Sequence, residues 1–318
     1  MDLRPNEERQ FEGSNRQPVL TTSERSVRIS IVTPNFNGAE LLERAIQSVI
    51  SQDYGNVEHI VMDGGSTDGS HQIVERYREQ VARFVSEKDN GQYDAIAKGF
   101  AMATGDILCW LNSDDIYFPW TMRVVARIFS DYPQIEWIMG VRCELRDGAV
   151  QGISSVNPFP RDVIRSGAFY PRGLGCIMQE ACFWRRSLYK RVGGISVNWP
   201  FAGDYELWIR FAEQTDLVVT SALLGGFNYT GKNRSMLNVE TWQQEVDAIR
   251  KRIPAPLRVM GDRLVQRKFF AQKFLFGKPR LRRCLQSWLC LTMHRGPVLG
   301  YDAPADRYVL HRPQFSLA

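Results

Sequence analysis

The sequence predicts an α/β protein whose mostly parallel, twisted sheet carries helices on both faces. Strand-like and helix-like segments alternate four times in the roughly 90 residues that follow Val27, a pattern typical of parallel strands joined by helical crossovers. The chain has 318 residues, of which 44% are hydrophobic and 24% charged, so it suits one large domain or a domain with an appendage. Such sheets bind ligands beyond the carboxyl ends of their strands.

The first four strands are short segments, rich in apolar and β-branched residues, that end in polar or turn-forming residues. The helices between them have apolar residues at helical spacing. The strands are predicted in VRISIVTPNFNG, VEHIVMD, ARFVSEKD and GDILCWLNSDD, and the helices in AELLERAIQSVISQ, HQIVERYREQV and GQYDAIAKGFAMAT.

The pattern is less regular after Ala181. We expect a strand and a short helix in ACFWRRSLYKRVGG, a helix with an acidic first turn in GDYELWIRFAEQ, and one or two strands in DLVVTSALLGGFNYT. Residues 1–26 are polar and are predicted to be a disordered arm. The main domain is predicted over residues 27–248, followed by a basic helical extension over residues 249–318.

Charge is concentrated in this extension. From Arg250 to Ala318 there are 15 Lys or Arg against 3 Asp or Glu, whereas the whole chain has 40 against 35. A helix that carries aromatic and aliphatic side chains among cations suits the surface of an anionic membrane. The structural alternative is a helix that packs on the domain and exposes its basic face. Nucleic-acid binding is disfavoured because no recognition motif accompanies the charge.

Three observations favour the cytoplasm. The N-terminus lacks the apolar core of a signal peptide, and no run of about 18 apolar residues predicts a membrane-spanning helix. The six cysteines include no CxxC pair, which favours free thiols in a reducing compartment.

Carboxylates follow strand-like or buried segments at three places: Asp63, the pair Asp114 and Asp115, and Asp204. A single Asp at such a place often only stabilises a turn or caps a helix. Three acidic places at the ligand-binding edge of a sheet are more informative, because clustered carboxylates repel unless a cation or a proton-transfer task requires them. Oxygen ligands favour Mg²⁺ or Mn²⁺. The four histidines are dispersed, so zinc is disfavoured.

The glycine-rich turn DGGSTDGS matches neither the dinucleotide motif GxGxxG nor the phosphate-binding motif GxxxxGK[ST]. Its backbone amides could still contact a nucleotide. The alternative is an ordinary strand-to-helix turn.

Five segments, in order, resemble the family-2 glycosyltransferases. They are SIVTPNFNGAELLERAIQSVISQ, HIVMDGGSTDGS, EKDNGQYDAIAKGF, ATGDILCWLNSDD and GDYELWIR. The similarity covers roughly residues 28–235, and the ordered set is more specific than any one motif. It implies the nucleotide-sugar-binding (GT-A-like) fold with a metal-binding acidic motif.

The resemblance also implies roles for individual residues. Asp204 would be the general base, Asp115 the ligand of Mn²⁺ or Mg²⁺, and Asp63 a contact of the donor's base. The other donor-binding residues would be Thr33, Pro34, Asn35, Asp94, Lys98, Asp114 as a ribose contact and Arg234 as a diphosphate contact. The segment LGCIMQEACFW resembles the acceptor side of the family, where Gln179 and Glu180 would meet the acceptor, while Phe183 and Trp184 would pack or stack.

The chain departs from the family pattern at three positions. Ser113 stands where many members have Asp, Gly203 where many have Glu, and Ala97 where relatives often have Asn. These departures leave open which carboxylate holds the metal and how tightly the donor is bound.

The implied reaction is an inverting transfer of a sugar from a nucleoside diphosphate donor, with a UDP-sugar favoured, to a hydroxyl of a glycan or lipid-linked acceptor. General-base assistance of this kind contributes ~10²–10⁴-fold. The implied setting is surface polysaccharide or glycolipid assembly, with peripheral contact to the inner face of the cytoplasmic membrane through the basic extension.

A catalytically silent nucleotide-sugar-binding or scaffold subunit of the same fold is the alternative function. The retention of Asp63, Asp115 and Asp204 favours the enzyme. A processive polymer synthase is disfavoured because the sequence lacks both membrane-spanning segments and a QxxRW motif.

Overall fold

A computed structural model describes residues 26–231, 233–274 and 296–311. The predicted disordered arm, apart from Ser26, lies outside the described residues, as do residues 275–295 and 312–318 of the predicted helical extension.

The strands vary in length from two to eleven residues. They are β1 Ile29–Asn35, β2 Val57–Asp63, β3 Arg83–Ser86, β4 Ile107–Trp110, β5 Ile116–Tyr117, β6 Trp137–Arg146, β7 Ala149–Ile153, β8 Cys182–Arg185, β9 Val218–Asn228, β10 Val298–Asp302 and β11 Arg307–His311.

The helices lie between and after these strands. They are α1 Ala39–Ile50, α2 Ser70–Arg76, α3 Gln92–Met102, α4 Thr121–Asp131, α5 Arg161–Arg165, α6 Arg186–Arg191, α7 Gly203–Gln214, α8 Arg234–Leu237, α9 Val239–Lys251 and α10 Ala255–Phe274, with a 3-10 turn at Gln179–Ala181.

All of these strands join one sheet in the order β11-β10-β9-β6-β8-β4-β1-β2-β3, with β5 paired to β9 and β7 paired to β6. The pairs β1–β2, β1–β4, β2–β3, β6–β9 and β9–β10 are parallel, whereas β8 is antiparallel to both β4 and β6. The strands β1, β2, β3, β4, β6, β9 and β10 therefore point in one direction, which confirms the predicted α/β class with a mostly parallel sheet.

The first four predicted strands and the three helices between them are confirmed. Asn35 of β1 lies opposite Asp63 of β2, which lies opposite Ser86 of β3. Because these strands are parallel, their carboxyl ends form one edge of the sheet, and the acidic segment after β4 reaches the same edge.

A cluster of tryptophans forms the centre of the core. Trp110 of β4 stacks on Trp208 of α7 with ring centroids 5.8 Å apart, and Trp137 of β6 stacks on the same ring at 5.3 Å. Aromatic pairs of this kind contribute about 0.5–1.5 kcal/mol beyond the area they bury. This packing fixes α7 against the strand that leads to Asp114. Phe183 and Trp184 are fully buried, so they pack in the core.

The C-terminal part of the chain differs from the prediction of a helical extension. Residue 248 lies inside α9, and α10 continues the helical region, but residues 298–311 form the antiparallel hairpin β10–β11. Val298 and Leu299 pair with Val219 and Thr220 of β9. The hairpin therefore extends the central sheet.

Helix α10 packs on the domain through its buried Leu264 and Val265. Arg250 of α9 forms an ion pair with Asp262 of α10, and Lys268 donates to the carbonyl of Gly173 at 2.7 Å. None of the helices in the described ranges is long and apolar enough to cross a membrane. Cys109, Cys143, Cys176 and Cys182 are free thiols.

Candidate active site

The carboxyl ends of β1 and β2 carry a compact polar cluster around Asp63. One carboxylate oxygen, Oδ1, accepts from Asn35 Nδ2 at 2.8 Å and from Ser66 Oγ at 2.5 Å. The other oxygen, Oδ2, accepts from the Ser66 amide at 3.0 Å and from Ser86 Oγ at 2.7 Å. Burial opposes ionisation of Asp63, but these hydrogen bonds outweigh it and lower the pKa of the carboxyl. Asp63 is therefore ionised at neutral pH.

Asn35 of the Asp63 cluster and Ser113 of the acidic segment after β4 both lie close to Gly38. A Cβ atom on Gly38 would collide with Asn35 Oδ1 and would lie 2.9 Å from Ser113 Oγ. Glycine at position 38 therefore lets the loop after β1 approach the segment that carries Asp114 and Asp115. Asn35 Oδ1 is buried and has no hydrogen-bond partner within the described parts of the chain, so it can accept a bond from a ligand.

Thr33 and Pro34 are buried within β1. The Thr33 hydroxyl lies 2.9 Å from Nε2 of His59 on β2. This contact occupies the threonine side chain inside the sheet, and its backbone pairs with Val61 of β2, so the predicted donor contacts of Thr33 and Pro34 stay predictions.

Asp114 and Asp115 occupy different environments. Asp115 is fully buried, and its oxygens accept from the Asn228 amide at 3.1 Å and from Asn112 Nδ2 at 3.2 Å. Asp114 is half-buried and accepts from Asn233 Nδ2 at 3.1 Å. Burial raises the pKa of both carboxyls, and the charge of Glu180 raises it further. The pKa of Asp115 is raised well above its usual value, because the charge of Asp114 adds to these two effects.

A row of amides links Asp115 to Arg234. Asn112 donates to Gln179 Oε1 at 3.2 Å as well as to Asp115, and Gln179 donates to the Trp110 carbonyl at 2.6 Å. Gln92, the first residue of α3, donates to Asn112 Oδ1 at 2.7 Å. Nη1 of Arg234 lies 3.5 Å from Gln92 Oε1, and its guanidinium lies over the Phe201 ring, 4.5 Å from the centroid. The structure thus brings Arg234 to the same edge as the carboxylates.

Asp204 lies in the first turn of α7, beside the start of α3. Its Oδ1 accepts from Tyr93 Oη at 3.1 Å and from the Tyr205 amide at 2.7 Å. Burial raises the pKa of Asp204, and the charge of Glu180 also raises it, against the lowering effect of these two hydrogen bonds and of the residue's own backbone amide. A raised pKa suits a carboxylate that accepts a proton near neutral pH.

Glu180 stands at the electrostatic centre of the site, because its charge acts on Asp114, Asp115 and Asp204 alike. It is 4% exposed, and Oε1 forms an ion pair with Nη1 of Arg142 at 3.1 Å. Arg142 of β6 also pairs with Glu144 at 2.9 Å. The Arg142 guanidinium thus pairs with two carboxylates, one of which is Glu180.

Asp94 and Lys98 form a separate group on α3. Asp94 accepts from the Asn90 amide at 2.9 Å, and Lys98 Nζ lies 3.2 Å from Asp94 and 3.1 Å from Glu87. Within the described residues, these contacts do not join the network around Asp115. Their predicted donor contacts stay predictions.

The structure adds residues that the sequence did not indicate. Gln92, Tyr93 and Asn112 connect the acidic groups, Arg142 pairs with Glu180, and Ser66 and Ser86 bind Asp63. Phe36 is 66% exposed beside the Asp63 cluster, close to Gly64. Phe36 could have been identified from the sequence, because it is an aromatic residue inside the turn PNFNG. The other contacts mostly join residues that are distant in sequence, so no local pattern indicates them.

The carboxylate oxygens of Asp114 and Asp115 fit a hard cation that is coordinated partly by the protein and partly by a substrate. Adjacent buried carboxylates with raised pKa values gain from a neutralising cation. Over residues 26–231, 233–274 and 296–311, no group of three or more His, Cys, Asp or Glu is arranged to hold a metal ion by itself. An ion at this place would need further oxygen ligands, and substrate phosphates commonly supply them.

Two mycobacterial glycosyltransferases are similar to the chain in sequence. An uncharacterised glycosyltransferase of Mycobacterium tuberculosis strain H37Rv is 30% identical over 206 residues, which cover 64% of this chain and 76% of that protein. A protein of Mycobacterium bovis BCG named PGL/p-HBAD biosynthesis glycosyltransferase is 26% identical over 243 residues, which cover 74% and 87%.

Solved structures share the fold. TarS of Staphylococcus aureus, residues 1–349 in complex with UDP-GlcNAc, gives a TM-score of 0.59 at 15% identity and covers 78% of this chain and 73% of that one. The mannosyltransferase PcManGT of Pyrobaculum calidifontis, in complex with GDP-Man and Mn²⁺, gives 0.53 at 19% identity and covers 74% and 68%. These similarities confirm the predicted GT-A-like fold.

Residues 30–190 match the family described as Glycosyl transferase family 2, which is half of the chain. Together with the relatives above, this match confirms the resemblance stated from the five motifs. The chain belongs to glycosyl transferase family 2 and is a glycosyltransferase.

Proposed function

We propose that the protein transfers a sugar, with inversion, from a nucleoside diphosphate donor to a hydroxyl of a glycan or lipid-linked acceptor. The observation that carries this proposal is the meeting of Asp63, the Asp114–Asp115 pair, Asp204 and Arg234 at one edge of the sheet. Such an arrangement supplies a polar site for a nucleoside, a cationic contact for a diphosphate and a base for an alcohol.

Asp204 is the proposed base. In the transfer step its Oδ2 accepts the proton of the acceptor hydroxyl as the acceptor oxygen forms a bond to the anomeric carbon. The bond between that carbon and the diphosphate oxygen breaks, and its electron pair leaves with the nucleoside diphosphate. Attack opposite the leaving group inverts the configuration of the anomeric carbon. Alignment of the two substrates in one cleft supplies much of the remaining acceleration.

Arg234 is the proposed partner of the diphosphate, because its guanidinium is held beside the start of α3 by Gln92 and Phe201. Asp63 and the unpartnered Asn35 Oδ1 are the proposed nucleoside contacts. The exposed Phe36 ring offers a stacking surface for a base. A UDP-sugar is the favoured donor. TarS was solved with UDP-GlcNAc and PcManGT with GDP-Man. Because the two neighbours bind different nucleotides, the choice of UDP for this chain is itself proposed.

Mn²⁺ or Mg²⁺ is the proposed cofactor, held by the Asp114–Asp115 pair. The sequence pointed to Asp115 as the ligand, but both of its oxygens are bonded inside the protein. Asp114 is half-buried, and we therefore propose it as the carboxylate that an incoming ion meets first. When bound, the cation would neutralise negative charge that gathers on the leaving diphosphate.

Gln179 and Glu180 are the proposed acceptor side. Both are buried, and Glu180 stands close enough to Asp204 to affect its pKa. Assembly of surface polysaccharide or glycolipid is the proposed setting, supported by the name of the M. bovis relative. Contact with an anionic membrane is proposed for α10, where Val259 and Phe269 are 43% and 48% exposed and Arg263 is exposed as well.

A transfer assay against a panel of nucleotide sugars with Mn²⁺, combined with thermal-shift measurements, tests the proposal. Asp204→Asn should keep the donor-induced rise in melting temperature and lose transfer by about 10²-fold or more. Transfer at the wild-type rate in that variant would refute the base assignment. Donor binding without transfer to any acceptor in the wild-type protein would favour a silent nucleotide-sugar-binding subunit.

A further inference from the structure

The glycine before Asp204 makes room for an aromatic ring. A Cβ atom on Gly203 would lie 2.7 Å from Cδ2 and 2.9 Å from Cε2 of Tyr93, which is closer than non-bonded carbons approach. Position 203 is one of the places where the chain departs from the Glu that many family members carry. In this chain the Tyr93 ring occupies the space beside α7 that a side chain at position 203 would need.

The hydroxyl of the same tyrosine reaches the candidate base. Tyr93 Oη lies 3.1 Å from Asp204 Oδ1 and 3.4 Å from the carbonyl of Phe201. The Tyr205 amide donates to the same oxygen at 2.7 Å. Apart from the backbone amide of Asp204 itself, which also bonds the carboxylate, no donor to Oδ2 is found in the part of the chain that the structure describes. One oxygen of the carboxylate is therefore anchored twice, and the other remains available.

We propose that Tyr93 is a positioning residue for Asp204: its hydroxyl and the Tyr205 amide anchor Oδ1, so that Oδ2 accepts the proton of the acceptor. The proposal rests on the proposed role of Asp204 as the base. Position 203 must be glycine in this chain because the Tyr93 ring fills the volume that a side chain there would occupy. The tyrosine at position 93 and the glycine at position 203 therefore require each other. The acidic residue common before the base in the family is thus replaced by a neutral hydrogen-bond donor from α3.

The environment of Tyr93 supports a structural rather than an acidic role. It is 7% exposed, and burial together with the charge of Asp204 raises its pKa well above the usual value. The phenol therefore keeps its proton at neutral pH and can only donate to a carboxylate. Within the described residues, the other titratable groups that interact with this pair include Glu180, Arg234 and the thiols of Cys176 and Cys182. Glu245 of α9 lies close by and accepts from the amides of Phe201 and Ala202 at 2.9 and 2.8 Å.

Tyr93→Phe tests the proposal because it keeps the ring against Gly203 and removes only the hydroxyl. We expect the kcat for transfer to fall about 10- to 100-fold while the donor KM stays within about twofold, because the base loses one of its two anchors. The acid limb of the kcat profile should move up by about one pH unit, since the carboxylate loses a hydrogen bond that favours its charged form.

Tyr189→Phe is the matched control. Tyr189 is 9% exposed, and its hydroxyl accepts from the Ile195 amide at 3.0 Å instead of bonding a carboxylate. The control variant should lose comparable thermal stability and keep the wild-type pH profile. If Tyr93→Phe behaves like this control, with wild-type kcat and an unmoved acid limb, the proposal for Tyr93 is wrong.

The Asp204→Asn variant separates the two proposals. Loss of transfer in Asp204→Asn together with wild-type behaviour of Tyr93→Phe overturns the role of Tyr93 alone. Undiminished transfer in Asp204→Asn overturns the base assignment and, with it, the role of Tyr93. Gly203→Ala adds a second check: the added methyl should displace the ring and lower kcat at least as much as Tyr93→Phe, with the melting temperature measured to establish that the variant is folded.

Discussion

Arg142 and Glu180 form a buried ion pair in which Nη1 of the arginine lies 3.1 Å from Oε1 of the glutamate. Their side chains are 13% and 6% exposed, and the guanidinium also lies over the Phe227 ring at 5.1 Å. Burial disfavours the charge of Arg142, but Glu180 outweighs it, so the pKa of the arginine is raised. The pair thus places a buried cation beside Glu180, whose charge also acts on Asp114, Asp115 and Asp204.

Removal of one partner should therefore be far more costly than removal of both. Arg142→Met leaves Glu180 without its cation, and we expect a loss of about 3–5 kcal/mol in the free energy of unfolding, measured with urea. The double variant Arg142→Met/Glu180→Gln should recover most of that loss. Arg191→Met, which breaks a more exposed pair with Glu136, is the control and should cost about 1 kcal/mol or less. Equal losses in Arg142→Met and Arg191→Met would contradict a buried pair.

His59 should make stability depend on pH. It is 2% exposed, and burial lowers its pKa from 6.5 to about 4. The folded protein therefore resists protonation of this ring while the unfolded chain does not. The contribution of the neutral His59 ring to the free energy of unfolding is fully present above pH 6.5. It is lost as the pH falls from 6.5 through about 4, by about 3 kcal/mol in total. His59→Gln should remove this component from urea unfolding curves measured between pH 7 and pH 4.

The exposed His71 on α2 provides the control for this experiment. His71→Gln should show the same loss of stability between pH 7 and pH 4 as the wild-type protein, because its ring lies at the surface. An unchanged pH dependence in His59→Gln would show that the buried imidazole does not carry the effect.

Removal of divalent cations should stop transfer. We expect EDTA to abolish activity with any accepted nucleotide sugar, and added Mn²⁺ or Mg²⁺ to restore it. Asp114→Asn should weaken the Mn²⁺-dependent rise in melting temperature seen with UDP by at least tenfold in midpoint concentration, because one of two ligand carboxylates is lost. Full activity after exhaustive chelation would reject the metal proposal, and an unaltered Mn²⁺ midpoint in Asp114→Asn would reject the ligand assignment.

Arg234 should matter for the donor and its leaving group. Arg234→Met removes the cation beside Gln92, and we expect kcat/KM for the donor to fall about 10²-fold, as for other groups that stabilise developing negative charge. Arg252→Met is the matched control, because Arg252 lies over the Trp199 ring at 4.6 Å in the same kind of stack. Arg252 belongs to a different cleft, lined also by Arg165 and Leu257. Similar losses in both variants would point to general destabilisation.

Local patterns predicted the elements that surround the proposed donor side. Alternating apolar segments and turn residues predicted β1 to β4 and the helices α1 to α3, and parallel pairing then brings Asn35, Asp63 and the Asp114 segment to one edge. These features follow from short-range periodicity and from the geometry of parallel strands.

The contacts around Asp204 and Glu180, the proposed acceptor side, could not be predicted in this way. Tyr93 and Asp204 are 111 residues apart, and Arg142 and Glu180 are 38 apart. No periodicity records such pairs, because each depends on how separate elements pack. The relative burial of Asp114 and Asp115 is likewise set by the passing strand β9, whose Asn228 amide bonds Asp115. The hairpin β10–β11 was missed for the same reason, since its strands are fixed by pairing with β9.

The position of that hairpin has a practical consequence for truncated variants. Val298 and Leu299 cover the backbone of Val219 and Thr220, and Tyr132 Oη holds the second hairpin strand through the Tyr308 carbonyl at 2.5 Å. A shortened protein that stops before Val298 would leave backbone N–H and C=O groups of this part of β9 without hydrogen-bond partners, next to apolar side chains. Exposed strand edges of this kind pair with other chains. Deletion of the last segment should therefore cause self-association, even where the active site itself is unchanged.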